Sequence, residues 1–169
     1  MVQKGSDLHN FALERLKERG VSLEEIAELV FDLQKPYLSE ITMDLCLENV
    51  KAVLRKREVQ NTILTGVELD VLCEKGLLSS PLQEIIKEDE GLYGIDEILA
   101  LSIVNVYGSI GFTNYGYLDK TKPKVIARLD DHKNTQETHT FLDDIVGAIA
   151  AAAASRLAHD NPEISDVMK

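Results

Sequence analysis

The chain has 169 residues, 44% hydrophobic and 28% charged, with 10 Gly and 4 Pro. That length suits about one domain, able to bury roughly 70% of its unfolded surface without disulfides or a structural metal, and the composition excludes a disordered or collagen-like chain. Acidic residues outnumber basic ones 29 to 18, a formal charge of −11, so the field repels nucleic acid and anionic membrane surfaces, and a phosphate-bearing ligand needs a local cation.

Apolar residues recur at three- and four-residue intervals through the first half, predicting helices. Leu8, Phe11, Ala12 and Leu16 form one stripe, ended by Gly20. Ser22 with Glu25 is a capping-box signature for a second helix carrying Ile26, Leu29, Val30 and Leu33 and stopping before Pro36. Thr42 is placed to cap a third, running through Leu45, Val50, Val53 and Leu54 into KAVLRKRE and beyond. Shorter helical segments are expected at GVELDVLCEKG and PLQEIIKEDEG, each closed by a Gly. The segment IDEILALSIVNVYGSIGFTNYGYLD scores locally as strand but reads as helix, with Ile95, Leu99, Ile103 and Val106 on one face and Gly108 and Gly111 at its end. A last long helix, from about Thr140 to His159, is rich in alanine and suited to close packing against other helices rather than to a dimer interface. The fold class expected is all-α: one multi-helix domain with a buried helix surrounded by others.

Cys46 and Cys73 lack CxxC or Cys/His ligand spacing and sit in apolar-patterned stretches, as free thiols in a reducing cytoplasm do. The N-terminal MVQKGSDLHN is polar, so no secretory signal is expected. The longest weakly polar run, Ile145 to Ala154, is shorter than the ~20 residues that cross a bilayer. A soluble cytoplasmic protein is expected, with at most peripheral contact with the inner face of the membrane; a homo-oligomer stays open.

Three acidic loci mark the second half: Asp96 with Glu97, Asp119 beside Lys120 and Lys122, and Asp143 with Asp144. The spacings are 23 residues from Asp96 to Asp119 and 24 from Asp119 to Asp143, which lets three successive helices bring carboxylates to one level. Converging carboxylates repel, and a hard divalent cation such as Mg²⁺ relieves that repulsion. Each locus also has a structural explanation. Asp143 is placed as the acidic partner of a capping box begun by Thr140, Asp144, Asp96 and Glu97 as first-turn acids, and Asp119 as a surface partner of Lys122. Of the histidines, His139 precedes the DD pair closely enough to reach a phosphate or proton there. No P-loop, dinucleotide or nucleophile-elbow motif is present.

The ordered set GIDEILAL, LDKTKPKVI and FLDDIVGAIAAA resembles the phosphatidylglycerophosphatase A family, with its DE pair opening a helix, its D-x-x-KP segment and its DD helix start. The whole chain looks like a soluble, Bacillus-type branch of that family. The resemblance implies one helical domain over 1–169, with a divergent half (1–90) and a motif-bearing half (91–160). It implies Mg²⁺-dependent phosphomonoester hydrolysis, with phosphatidylglycerophosphate as substrate and phosphatidylglycerol as product. Asp96, Glu97, Asp119, Asp143 and Asp144 are then the metal-holding and catalytic acids, Lys122 neutralises a phosphate oxygen, and Pro123 completes the KP pair. The chain departs from the pattern at Gly116, where the family places an arginine, and in lacking the Gly/Pro-rich N-terminal motif. Lys120, Lys122 and Lys124 are the candidate replacements for that arginine's charge.

Other functions compete. A soluble phosphomonoesterase keeps the chemistry and changes the substrate. A non-catalytic helical module keeps only the metal. A helix-turn-helix regulator is suggested by GVSLEEIAELVFDLQ and the basic KAVLRKRE, but KPYLSEITMD is long and acidic for the turn, and the net charge opposes DNA.

Overall fold

Local rules set several helix ends. Helix α1 (Gly5–Glu18) stops where Gly20 takes a left-handed φ of +72°, with the Val21 amide donating to the Leu16 carbonyl at 2.9 Å. Helix α2 (Leu23–Gln34) opens on the expected capping box: Ser22 Oγ accepts from the Glu25 amide, and the Glu25 carboxylate accepts from the Ser22 amide. Thr42 caps α3 (Met43–Leu54), accepting from the Leu45 amide at 3.2 Å. The structure is a computed structural model that describes residues 5–131 and 136–161, and among these every regular element is helical.

The third helix does not run through KAVLRKRE. It breaks at Arg55 and Lys56, and α4 (Arg57–Glu74) begins afresh. The Leu54 carbonyl released by the break meets Gln60 Nε2 and His9 Nδ1, each at 3.0 Å, so it stays satisfied although buried. GVELDVLCEKG is the second half of α4 rather than a helix of its own. Helix α5 (Leu82–Lys87) is followed by Asp89 at φ +49°, so an aspartate and not Gly91 takes the left-handed position.

Helix α6 (Ile95–Val104), a 3₁₀ turn (Asn105–Tyr107) and α7 (Gly108–Thr121) follow without a loop. Residues 98–118 carry no charge, and the run Ile95–Thr121 is long and apolar enough, by length and composition, to cross a membrane. This run, and not Ile145 to Ala154, is the longest weakly polar stretch. It is not straight. A straight α-helix would hold Asp96 and Asp119 about 35 Å apart, yet both ends of the run reach one cluster. The chain reverses at Gly108, whose φ of +73° and ψ of −163° favour glycine, and a Cβ on Gly111 would come within 3.2 Å of Val104 Cγ1. Gly108 therefore opens α7 instead of closing α6. The buried side of α6 is Asp96, Ala100, Ile103 and Val104, which leaves Ile95 and Val106 exposed, because the inward position is taken by Asp96.

After the short α8 (Val125–Leu129), which the periodicity did not suggest, α9 (Leu142–Asp160) runs through the middle of the molecule. Every residue from Leu142 to Ser155 is buried, and α2, α3, α4, α6, α7 and α8 pack around it. Small side chains from Ala150 to Ala154 let those neighbours approach closely, and Gly66 of α4 lies so near that a Cβ there would meet Ile145 Cδ1 at 2.4 Å. The alanines thus pack within the chain, as expected. Phe141, fully buried before α9, meets the Tyr93 ring edge-on at 5.9 Å between centroids.

Candidate metal and phosphate site

Three helix ends meet. Asp96 and Glu97 lie in the first turn of α6, Asp143 and Asp144 in the first turn of α9, and Asp119 in the last turn of α7. The first two pairs sit where the helix dipole favours negative charge. Lys122, at φ +44°, caps α7 and turns its side chain back into the acids.

The geometry falls into two parts that share Asp144. Carboxylate oxygens of Asp96, Glu97 and Asp144 all lie within 4.8 Å of one another. Lys122 Nζ lies 2.8 Å from Asp143 Oδ2, 3.2 Å from Asp119 Oδ1, and 3.8 Å from both Asp144 Oδ1 and Asp130 Oδ1. All six residues singled out in the sequence are therefore brought together. Asp130 joins them unannounced, since no spacing rule tied it to the three loci. Asp96, Asp143 and Asp144 are buried.

Burial and like charge act together here. The Asp96 carboxyl is pushed up to about 7 by burial and by its contact with Glu97, and Asp144 to about 9 by burial and the neighbouring Asp143. Asp143 is raised to about 6 by burial, with Lys122 pulling the other way. For Lys122, burial favours loss of its proton, but Asp143, Asp144 and Asp119 hold its pKa above the ordinary lysine value. Tyr115 packs against this group, its phenol raised by burial and by the charge of Asp144.

Asp96 Oδ1 and Glu97 Oε2 are buried without a hydrogen-bond partner, as is the Tyr115 hydroxyl. Unpartnered buried carboxylate oxygens are costly unless a proton or a cation neutralises them. Three carboxylates make an all-oxygen donor set, the chemistry of Mg²⁺ or Ca²⁺ rather than of a soft metal. The residues present thus fit a hard divalent cation.

Several readings change. The Thr140 hydroxyl donates to the Ile86 carbonyl at 2.6 Å, so it does not cap α9. Asp70 of α4 does: its carboxylate accepts from the Phe141 amide at 3.1 Å and the Leu142 amide at 3.1 Å. Burial raises the Asp70 pKa well above the usual carboxylate value, and those amides and Arg19 oppose the rise. The sequence reading missed Asp70; an acid in the apolar register of α4, three residues from both Val67 and Cys73, is the signal that could have found it. His139 is buried, and its Nδ1 lies 3.3 Å from Arg19 and its Nε2 3.2 Å from Glu137, so its nitrogens are engaged away from the acids. Lys124 is held by Asp32 at 2.6 Å and Glu28 at 3.5 Å, and Lys120 is exposed; among the described residues Lys122 is the lysine paired with the cluster. Gly116 faces outward, with open space where a side chain would begin.

The family model for phosphatidylglycerophosphatase A matches residues 17–159. The chain is 64% identical to YutG of Bacillus subtilis over 154 residues, covering 91% of this chain and 92% of that protein. The crystal structure of low temperature requirement C protein from Listeria monocytogenes superposes with a TM-score of 0.90 at 64% identity, covering 93% of this chain and 98% of that one. That of ypjQ from Bacillus subtilis also gives 0.90, at 51% identity, covering 95% and 98%.

Proposed function

Because the chain belongs to the phosphatidylglycerophosphatase A family, we propose that it hydrolyses a phosphomonoester with the help of Mg²⁺, and that the ester is phosphatidylglycerophosphate, giving phosphatidylglycerol. The observation that carries this reading is the meeting of Asp96, Glu97 and Asp144 within 4.8 Å, with Lys122 2.8 Å from Asp143 beside them. Asp96, Glu97 and Asp144 would hold the ion, with Asp119 and Asp143 completing the acidic wall. When bound, a divalent cation supplies Lewis-acid stabilisation of phosphate and leaving-oxygen charge.

The remaining work falls to the chain itself. Lys122 is the cation placed to bind a non-bridging phosphate oxygen, as a point charge rather than a bidentate fork. Asp143, kept largely ionised near neutral pH by Lys122, is the acid suited to accept a proton from an attacking water. Burial of Asp96, Asp143 and Asp144 strengthens the contacts those carboxylates make, while Lys122 and Asp119 stay partly open to solvent. The site operates on the cytoplasmic side, with the lipid headgroup as the part recognised.

The test is phosphate release from dispersed phosphatidylglycerophosphate and from a panel of soluble phosphomonoesters, with Mg²⁺ or EDTA, for wild type and Asp143→Asn. Lipid turnover that requires Mg²⁺ and is lost in the variant is expected. Turnover of a soluble ester alone would replace the substrate and keep the chemistry. Mg²⁺ binding without release from any ester would overturn the enzymatic reading.

A further inference from the structure

The acids of the site form two nests joined at Asp144, and only one of them lacks a cation. In the first, Asp96, Glu97 and Asp144 converge within 4.8 Å, and Asp96 Oδ1 and Glu97 Oε2 are buried with no hydrogen-bond partner. In the second, Asp119, Asp130, Asp143 and Asp144 surround a cation that the chain itself supplies. The Lys122 ammonium lies 3.2, 3.8, 2.8 and 3.8 Å from them in that order. Among the described residues, none of these four acids has a buried oxygen without a partner. The partners of Lys122 come from three elements: Asp119 from the last turn of α7, Asp130 from the end of α8, and the aspartate pair from the first turn of α9.

Two-metal phosphoryl sites hold their ions about 3.5–4 Å apart, as a clamp on the attacking and leaving oxygens. Here Asp144 belongs to both nests, the place of a ligand shared by two cations. A hard divalent ion settles where buried oxygens lack a partner, which is the first nest. It is opposed at the second, because an ammonium 2.8 Å from Asp143 fills the space and repels another positive charge at close range. The Lys122 side chain is 29% exposed, so its ammonium keeps an open side for a phosphate oxygen. We propose that this is a two-cation site in which Lys122 takes the place of a second metal, so that the chain holds a single divalent ion, on Asp96, Glu97 and Asp144. The inference rests on the metal reading of the same site and fixes its stoichiometry.

Titration of the full chain with Mn²⁺, followed by calorimetry and electron paramagnetic resonance, counts the ions directly. Wild type should bind one, with the spectrum of a magnetically isolated Mn²⁺. Lys122→Ala empties the second nest and should bind two, the second at least about a hundredfold tighter than any second ion on wild type, with the neighbouring spins broadening each other's signal. Lys122→Arg keeps the charge and should stay at one, as should Lys124→Ala, whose partners Asp32 and Glu28 lie outside the cluster. Circular dichroism in Mn²⁺ checks folding, and Lys122→Gln carries the same expectation should the alanine variant not fold. Two ions on wild type, none on wild type, or one on a folded neutral variant would overturn the proposal. Turnover is a separate readout: one ion without phosphate release from any ester keeps the count and ends the phosphatase reading, whereas two ions with release does the reverse.

Discussion

Replacing Asp144 by Asn should stabilise the metal-free protein while removing its response to Mg²⁺. Asp144 is only 5% exposed, and its carboxyl is raised from 3.8 to about 9 by burial and by Asp143. A group whose folded pKa lies above its unfolded value gives its full stability below the unfolded value and loses it as pH rises through the folded one. Near pH 7 the wild-type protein must keep this carboxyl protonated about three units above its unfolded pKa. At about 1.4 kcal/mol per unit, that costs roughly 4 kcal/mol. Asparagine is neutral at every pH and avoids the cost. Allowing about half for imperfect amide packing, the variant should gain about 2 kcal/mol in EDTA, several degrees in Tm for a domain of this size. The assay is thermal and urea unfolding in EDTA across about pH 5 to 8, repeated with Mg²⁺. The gap should narrow as pH falls, and with Mg²⁺ the wild type should overtake the variant. A variant less stable than wild type in EDTA near neutral pH, or a gap that ignores pH, would refute the electrostatic reasoning.

Asp70→Ala should destabilise the fold by about 2–3 kcal/mol in urea, because two buried amides of α9 lose their acceptor; a loss under about 0.5 kcal/mol would mean that Asp70 is not the cap. Gly66→Ala should cost about 1–3 kcal/mol despite the better helix propensity of alanine, since its Cβ would sit 2.4 Å from Ile145 Cδ1 and 3.1 Å from Phe141 Cβ, and the buried Phe141 Cβ cannot swing aside as a side-chain tip can. A stabilised variant would show that α4 and α9 part easily, which their packing argues against.

The local chemistry of this fold was legible residue by residue. Ser22 with Glu25, Thr42 before Leu45, and Gly20 after α1 each act on neighbours within a few positions, so sequence spacing finds them. The alanine helix announced itself by composition. What escaped reading depends on partners far along the chain. The α9 cap joins residues 71 positions apart, and the break after Leu54 is stabilised by His9, 45 positions away. Periodicity alone also misjudged α6, since Asp96 occupies the inward register that an apolar count assigns to a hydrophobe. The three acidic loci were visible because each sits at a helix end of its own. Their meeting required the reversal at Gly108, which a single glycine does not announce. Asp130 had no motif to mark it.

The smoothness of α9 has a consequence for the acids at its start. A stretch of alanines offers neighbours no large knobs, so packing alone indexes such a rod weakly against rotation and sliding. Along Ala150–Ala154 its phase therefore leans on Ile145 against Gly66 and on polar pins at both ends. At the front stands Asp70; at the rear Ser155 Oγ donates to the Tyr107 carbonyl at 2.8 Å and Arg156 donates to Asn49 Oδ1. One residue of slippage would swing Asp143 and Asp144 by about 100° around the axis, away from Asp96 and Lys122. The aim of two carboxylates is therefore set in part by a hydroxyl about 18 Å further down the same rod, acting as the keyway that stops a smooth shaft from turning.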